Sequence, residues 1–378
     1  MERNQSINSI SSLMSTEEVS PVLEEKPVVE SPQTPADVPN EVVINTTTET
    51  PAVVYEKKEP WLKHLHLPFV ALALGMGGVG LSFKKAVSVF TDFPEWPYVV
   101  LLLLTGSVYI VFSLLYLLKL IVYPEAVRKE FRHPIRANFL PIFPILFLIL
   151  GLATTGTEYL KYGKVLIYIG SIVQIPLSLY LMSRWIMQSV KIQMCNPSCL
   201  IPPVGLLLFG LAWIRIDNRE LSMFGFSVGL FWYFMIFSLF IHRVLFQGML
   251  PQKFVPMLFI LLAPPAITSL LIQELWPGSP MVFVFWNLAM FFLLLLIFMG
   301  QLFVKAVSHF ELTWLAFVFP LGSFATSCLE VYHLNKILYY LVFAIAGMSL
   351  ATLVLFVVLG FTFVNLLRGK VFVPEPEN

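Results

Sequence analysis

The chain is expected to be an all-α polytopic membrane protein of ten transmembrane helices. Three observations carry this. Of its 378 residues 57% are hydrophobic and only 12% charged, against roughly 45–50% and about 25% in soluble domains. The mean hydropathy is +0.80. Apolar stretches of about 18 or more residues recur, long enough to cross a bilayer, without the alternating pattern of a membrane barrel.

The segments follow in order. Residues 1–58 are rich in Glu, Pro, Val, Thr and Ser and hold 10 acidic and 4 basic residues. This composition predicts a disordered acidic tail, whose Ser and Thr residues are candidate sites of regulation by phosphate. Its first residues lack the basic start and apolar run of a cleavable leader. Residues 59–378 keep the other 20 basic and 13 acidic residues; 59–370 form the channel-like membrane domain, with a short tail at 371–378. Spans are expected near 67–89, 98–121, 138–156, 164–187, 200–215, 222–244, 255–273, 281–303, 311–329 and 337–364. Trp61, Trp96, Tyr98, Tyr123, Tyr159, Tyr162 and Trp276 sit at their ends, as interfacial aromatics do.

Orientation follows from Lys and Arg. With the N-terminus inside, the inner side receives 15 of them, including Lys119, Arg132, Arg136, Arg184, Lys191 and Arg243. The outer side receives 7, including Lys84, Lys85 and Arg215. The excess predicts both termini in the cytoplasm of a cell (plasma or inner) membrane.

Odd and even segments differ. Odd ones carry the helix breakers: Gly75, Gly77, Gly78 and Gly80; Pro141 and Pro144; Pro202 and Pro203; Pro264 and Pro265; Pro320 and Gly322. Among even segments only the fourth has an interior proline, Pro176. A proline removes a donor and frees a carbonyl, which in hydrocarbon needs another partner. Interrupted helices therefore belong inside, with Pro144, Pro203, Pro264 and Pro320 expected as kinks, and the Leu- and Phe-rich even helices face lipid. Five helical hairpins with odd helices around a central pore satisfy this pattern; tight helix packing by small residues satisfies it too.

In the ninth segment Ala316, Phe319, Gly322, Ser323 and Thr326 share one face by helical spacing. Phe317, Leu321, Phe324 and Cys328 take the other. Segment 1 offers a matching small strip of Ala71, Gly75, Gly78 and Ser82 beside Leu74. Phe319 is either a plug in the space between them or an ordinary core residue. No Lys or Arg lies mid-span in an odd segment, so no fixed cationic site is expected. His133 and Arg136, among the basic residues after segment 2, serve topology, or collect anions or lipid headgroups. His242 and Arg243 are expected to snorkel. His309, Glu311 and Glu330 are expected in solvent, and Asn287 in subunit packing. Cys195, Cys199 and Cys328 read as small apolar residues, with no zinc spacing. No enzyme motif such as HExxH or GxSxG appears, no cofactor or metal is implied, and nucleic acid is not an expected partner.

Five stretches are similar to those of a known family: "PFVALALGMGGVGLSF" (68–83), "FRHPIRANFLPIFP" (131–144), "NPSCLIPPVG" (196–205), "LPQKFVPMLFILLAPPAIT" (250–268) and "LTWLAFVFPLG" (312–322). In order and spacing, over about residues 65–370, they resemble the tellurite-resistance/dicarboxylate transporter family, which includes bacterial anion channels and the plant slow-type guard-cell anion channels. The resemblance implies five hairpins around a pore and a homotrimer in lipid with one pore per subunit. It implies that a ninth-helix phenylalanine, here Phe319, occludes the pore, with Leu74 and Ile267 packing against the ring. Ala71 stands where a family glycine lies near the plug, and Pro320 where some bacterial members have glycine. Family substrates range from chloride and nitrate to sulfite, malate and tellurite. The expected function is a channel for small monovalent anions, gated by the phenylalanine. The alternative is a secondary transporter or exporter of dicarboxylate, sulfite or tellurite-type anions.

Overall fold

A computed structural model of the chain describes residues 60–188, 191–306 and 312–368. The acidic tail at 1–58, the residues 371–378, and His309 and Glu311 lie outside the described residues. No strand occurs among those described. Among the described residues, ten spans are long and apolar enough to cross a membrane, and each falls within a few residues of its expected place.

Helices α1 (Val70–Val89) and α2 (Trp96–Val122) form the first hairpin, and α3 (Pro124–Arg132) is a short amphipathic link. The second pairs α4 (Ile142–Ala153) with α5 (Leu160–Met187), and the third α6 (Ile201–Ile214) with α7 (Arg219–Gln247). The fourth pairs α8 (Ala263–Leu275) with α9 (Met281–Phe298); α10 (Gly300–Ala306) follows, and α11 (Val318–Asn335) with α12 (Leu338–Leu367) is the fifth. The first helices of the hairpins form a closed ring, α1 on α4, α4 on α6, α6 on α8, α8 on α11 and α11 on α1.

Burial separates the two sets. The odd spans bury 72, 72, 89, 94 and 83% of their most apolar windows, the even ones only 17 to 39%. Exposed Leu, Val, Ile and Phe side chains crowd α2, α9 and α12. Such a surface suits hydrocarbon, since every backbone polar group within these long helices is bonded internally.

The prolines act differently from the expected kinks. Each odd span begins in 3-10 conformation and then becomes α-helical. The 3-10 pieces are Leu67–Phe69, Arg136–Phe139, Pro197–Leu200, Gln252–Leu262 and Leu312–Phe317. Pro144, Pro203, Pro264 and Pro320 fall in the first turn of the α-helix that follows. There the N–H has no i−4 partner to lose, so each proline marks a change of helix type rather than bending a continuous α-helix. Pro176, by contrast, stands well inside α5.

Three charged groups also differ from expectation. Lys119, counted as inner loop charge, is 1% exposed and donates from Nζ to Glu130 Oε1 at 2.6 Å and to the Leu65 carbonyl at 2.7 Å. Tyr116 donates to the other carboxylate oxygen at 2.9 Å. Glu330 is buried, because α11 continues past the expected end at 329 to Asn335, and it pairs with Lys85 of α1. Arg243 does not reach outward along the surface; it is 4% exposed and donates to the Gly248 carbonyl at 3.2 Å. Asn287 is exposed and donates to the Phe283 carbonyl one turn back, at 2.8 Å.

Candidate functional site: two cavities meeting at Phe319

The five ring helices all run in the same direction, since each is returned by its partner. Two cavities lie between them, one along their N-terminal halves and one along their C-terminal halves. The first, about 40 Å³, is bounded by Ala71 and Leu74 of α1, Ile142 and Ile145 of α4, Ile201 and Val204 of α6, Ala263 of α8, and Ala316, Phe319 and Pro320. Its wall is almost wholly apolar. The second, about 390 Å³, is bounded by Gly78 and Leu81, Leu152, Leu208 and Leu211, Ile267 and Leu270, and Phe319, Ser323 and Thr326. Among the described residues Phe319 is the one that lines both, and it is only 6% exposed.

The backbone around Phe319 is held from both sides. Before it, Phe317 stacks on Trp314 at 5.1 Å and packs on Phe259 at 4.1 Å and Phe303 at 5.8 Å. After it, Phe324 lies parallel to Trp286 at 6.4 Å, and the Trp286 indole donates to Cys328 Sγ at 3.2 Å. These are the bulky positions of the ninth segment, and they anchor α11 away from the cavities. On the other face Ser323 donates to the Phe319 carbonyl at 3.0 Å and Thr326 to the Gly322 carbonyl at 2.9 Å. Both hydroxyl protons are thereby spent on the helix itself, which leaves the wall weakly polar.

Two of the expected lining residues serve the helix contact instead. Neither cavity wall includes Gly75 or Gly322. A Cβ on Gly322 would lie 2.7 Å from the Gly78 carbonyl carbon, and one on Gly75 2.9 Å from Val318 Cβ. A Cβ on Gly78 would lie 2.8 Å from Phe319 Cδ2 and 3.2 Å from its Cα. Small residues thus let α1 approach α11 closely, as membrane interfaces favour, with Gly78 directly beneath the ring. Leu74 bounds the smaller cavity and Ile267 the larger, so the two flank Phe319 from opposite sides along the axis. Gly322→Ala is expected to push α11 from α1, because the new methyl meets backbone rather than a movable side chain. Overpacking of this kind costs about 1–3 kcal/mol; a lowered midpoint of thermal unfolding in detergent checks it, and an unchanged midpoint would show that the helices can part freely.

The charges of the larger cavity stand outside the sequence expectation, which concerns mid-span cations alone. Lys84, Lys85 and Arg215 line it together with Glu95 and Glu330. Lys84 Nζ donates to the carbonyl of Thr155 and, at 3.2 Å, to that of Leu152, at the C-terminal end of α4, where a cation meets the helix dipole favourably. Lys85 is paired with Glu330 and Arg215 with Glu274 at 2.5 Å. The Lys84-Lys85 doublet ending a glycine-rich segment is their signal in the sequence, because its helical phase faces the ring's interior. No group of three or more His, Cys, Asp or Glu placed to hold a metal occurs among the described residues.

Residues 64–363 match the family model described as a voltage-dependent anion channel. An uncharacterized transporter of Methanocaldococcus jannaschii is 25% identical over 300 residues, covering 72% of this chain and 86% of its own length. The S-type anion channels SLAH3 and SLAH2 of Arabidopsis thaliana are 24% and 25% identical over 82% and 84% of this chain. The chain spans 50% of the first plant channel's length and 63% of the second's.

Proposed function

Because the chain belongs to the SLAC1 family of voltage-dependent anion channels, we propose that it passes small monovalent anions, chloride- and nitrate-like, along the axis of its five ring helices, and that Phe319 closes the path. The observation that carries this reading is the single side chain common to both axial cavities. The parallel ring helices turn their positive dipole ends toward the smaller cavity, which favours an anion over a cation at that end of the path. We extend the reading to a trimer with one path per subunit, in a cell membrane and with both termini on the inner side, as the resemblance and the Lys and Arg count imply.

The smaller cavity has an apolar wall and no charge. An ion crossing it must shed water without a protein charge in return, a cost that rises steeply for fluoride and for divalent ions. Permeability is expected to rise from fluoride through chloride to nitrate and iodide, with sulfate and malate excluded. Reversal potentials of the purified protein in bilayers, with one anion exchanged at a time, test this; preferred sulfate or malate would overturn it.

A second reading, coupled transport of dicarboxylate, sulfite or tellurite-type anions, has one observation in its favour. Glu330, buried, and Lys85, half-buried, form an ion pair at the wall of the larger cavity, and charged groups inside a membrane are the kind that coupled transport uses. A reversal potential that follows the anion gradient alone, unmoved by a pH gradient, supports the channel; one that shifts with the pH gradient supports the transporter.

A further inference from the structure

A third cavity, about 450 Å³, opens away from the axis on the more basic side of the bundle, between the end of α3 and the segment that follows it, the end of α5, the segment ahead of α6 and the C-terminal half of α7. Its lining shares no residue with either axial cavity. Arg132, Arg184 and Lys191 supply its charge, and no carboxylate lines it. Trp185, Ile236 and Leu239 supply an apolar side, and that side reaches the outer face of the bundle, where Leu239 is 47% exposed.

The cations are prepared for an anion. Arg184 is fixed in place, donating to the carbonyls of Phe131 and, at 2.9 Å, Arg132, and to Gln188 Oε1 at 3.2 Å. One turn beyond Leu239, on the same face of α7, stands the buried Arg243, whose Nε has no partner. None of these four cations forms an ion pair among the described residues. Arg243 does not itself line the cavity; its buried charge, without a counter-charge, adds positive potential on that side and favours an anion there.

We propose that this cavity holds the phosphate group of an anionic phospholipid, with the acyl chains lying along Ile236 and Leu239. The pocket joins the two chemistries such a molecule carries, a fixed charge and hydrocarbon, at the level where bilayer headgroups lie. A transported inorganic anion would use only the first.

The test titrates the full-length protein in detergent with dioctanoyl phosphatidic acid, dioctanoyl phosphatidylcholine and inorganic phosphate, read by calorimetry. Phosphatidic acid is expected to bind about tenfold or more tightly than either of the others. The double variant Arg132→Gln/Lys191→Gln, whose replaced side chains are exposed, should lose about tenfold in that affinity while its thermal unfolding is unchanged. Adding Arg184→Gln should lower the affinity further. Phosphatidic acid binding that ignores these substitutions would overturn the site, and inorganic phosphate binding as tightly as phosphatidic acid would overturn the lipid.

Discussion

Phe319→Ala is expected to raise anion conductance by about tenfold or more, the equivalent of 1.4 kcal/mol removed from the barrier per decade. The ring is the single side chain that bounds both axial cavities, so its removal joins them. The helix that carries it should stay in place, because Phe317, Phe324 and Cys328 are held by Trp314, Phe259 and Trp286 on the far side. The competing account, an ordinary core phenylalanine, predicts something else: a loss of about 3–5 kcal/mol in stability and no current. Bilayer recording and thermal unfolding of the same preparation separate the two. Phe319→Trp, which keeps a bulky ring, should remain closed. A well-folded Phe319→Ala protein that conducts no better than the parent would end the plug assignment.

Glu130→Ala should cause the largest loss of stability among the charged positions, about 3–5 kcal/mol. The substitution strands Lys119, which is 1% exposed, and removes the acceptor of the Tyr116 hydroxyl. The same ammonium also ties α2 to the Leu65 carbonyl, just ahead of α1, so the entry to the first ring helix should loosen with it. The pair itself is worth less than its breakage, since two desolvated charges offset much of their attraction. A double variant Lys119→Met/Glu130→Leu should therefore recover most of the loss. Unfolding midpoints in detergent measure both; equal losses for the single and double variants would mean that packing, rather than the stranded charge, is at issue.

Much of the architecture was legible in the sequence. The spans were, because a bilayer demands an apolar length that is counted along the chain. The division into inner and outer helices was, because broken helices need protein or water around them, and the glycines and prolines of segments 1, 3, 5, 7 and 9 are local marks of it. Two things were not. Pro144, Pro203, Pro264 and Pro320 give the same sequence signal whether they kink an α-helix or open one after a 3-10 turn; the conformation of the preceding residues decides. Gly75 and Gly322 look like lining by helical phase alone, and only the approach of the partner helix makes them contact residues.

The sequence by itself thus determined ten membrane spans, their family and which of them turn inward, all properties of composition and short-range order. The tertiary structure decided which charges are buried and what lies between the helices. Lys85 meets Glu330, and Lys84 meets Thr155, across long stretches of chain, while Arg243 is left with one of its nitrogens unpaired. The physical reason is that a charge's environment is set by neighbours brought together in folding, whereas hydrophobic length and helix-breaking tendency belong to the residues themselves.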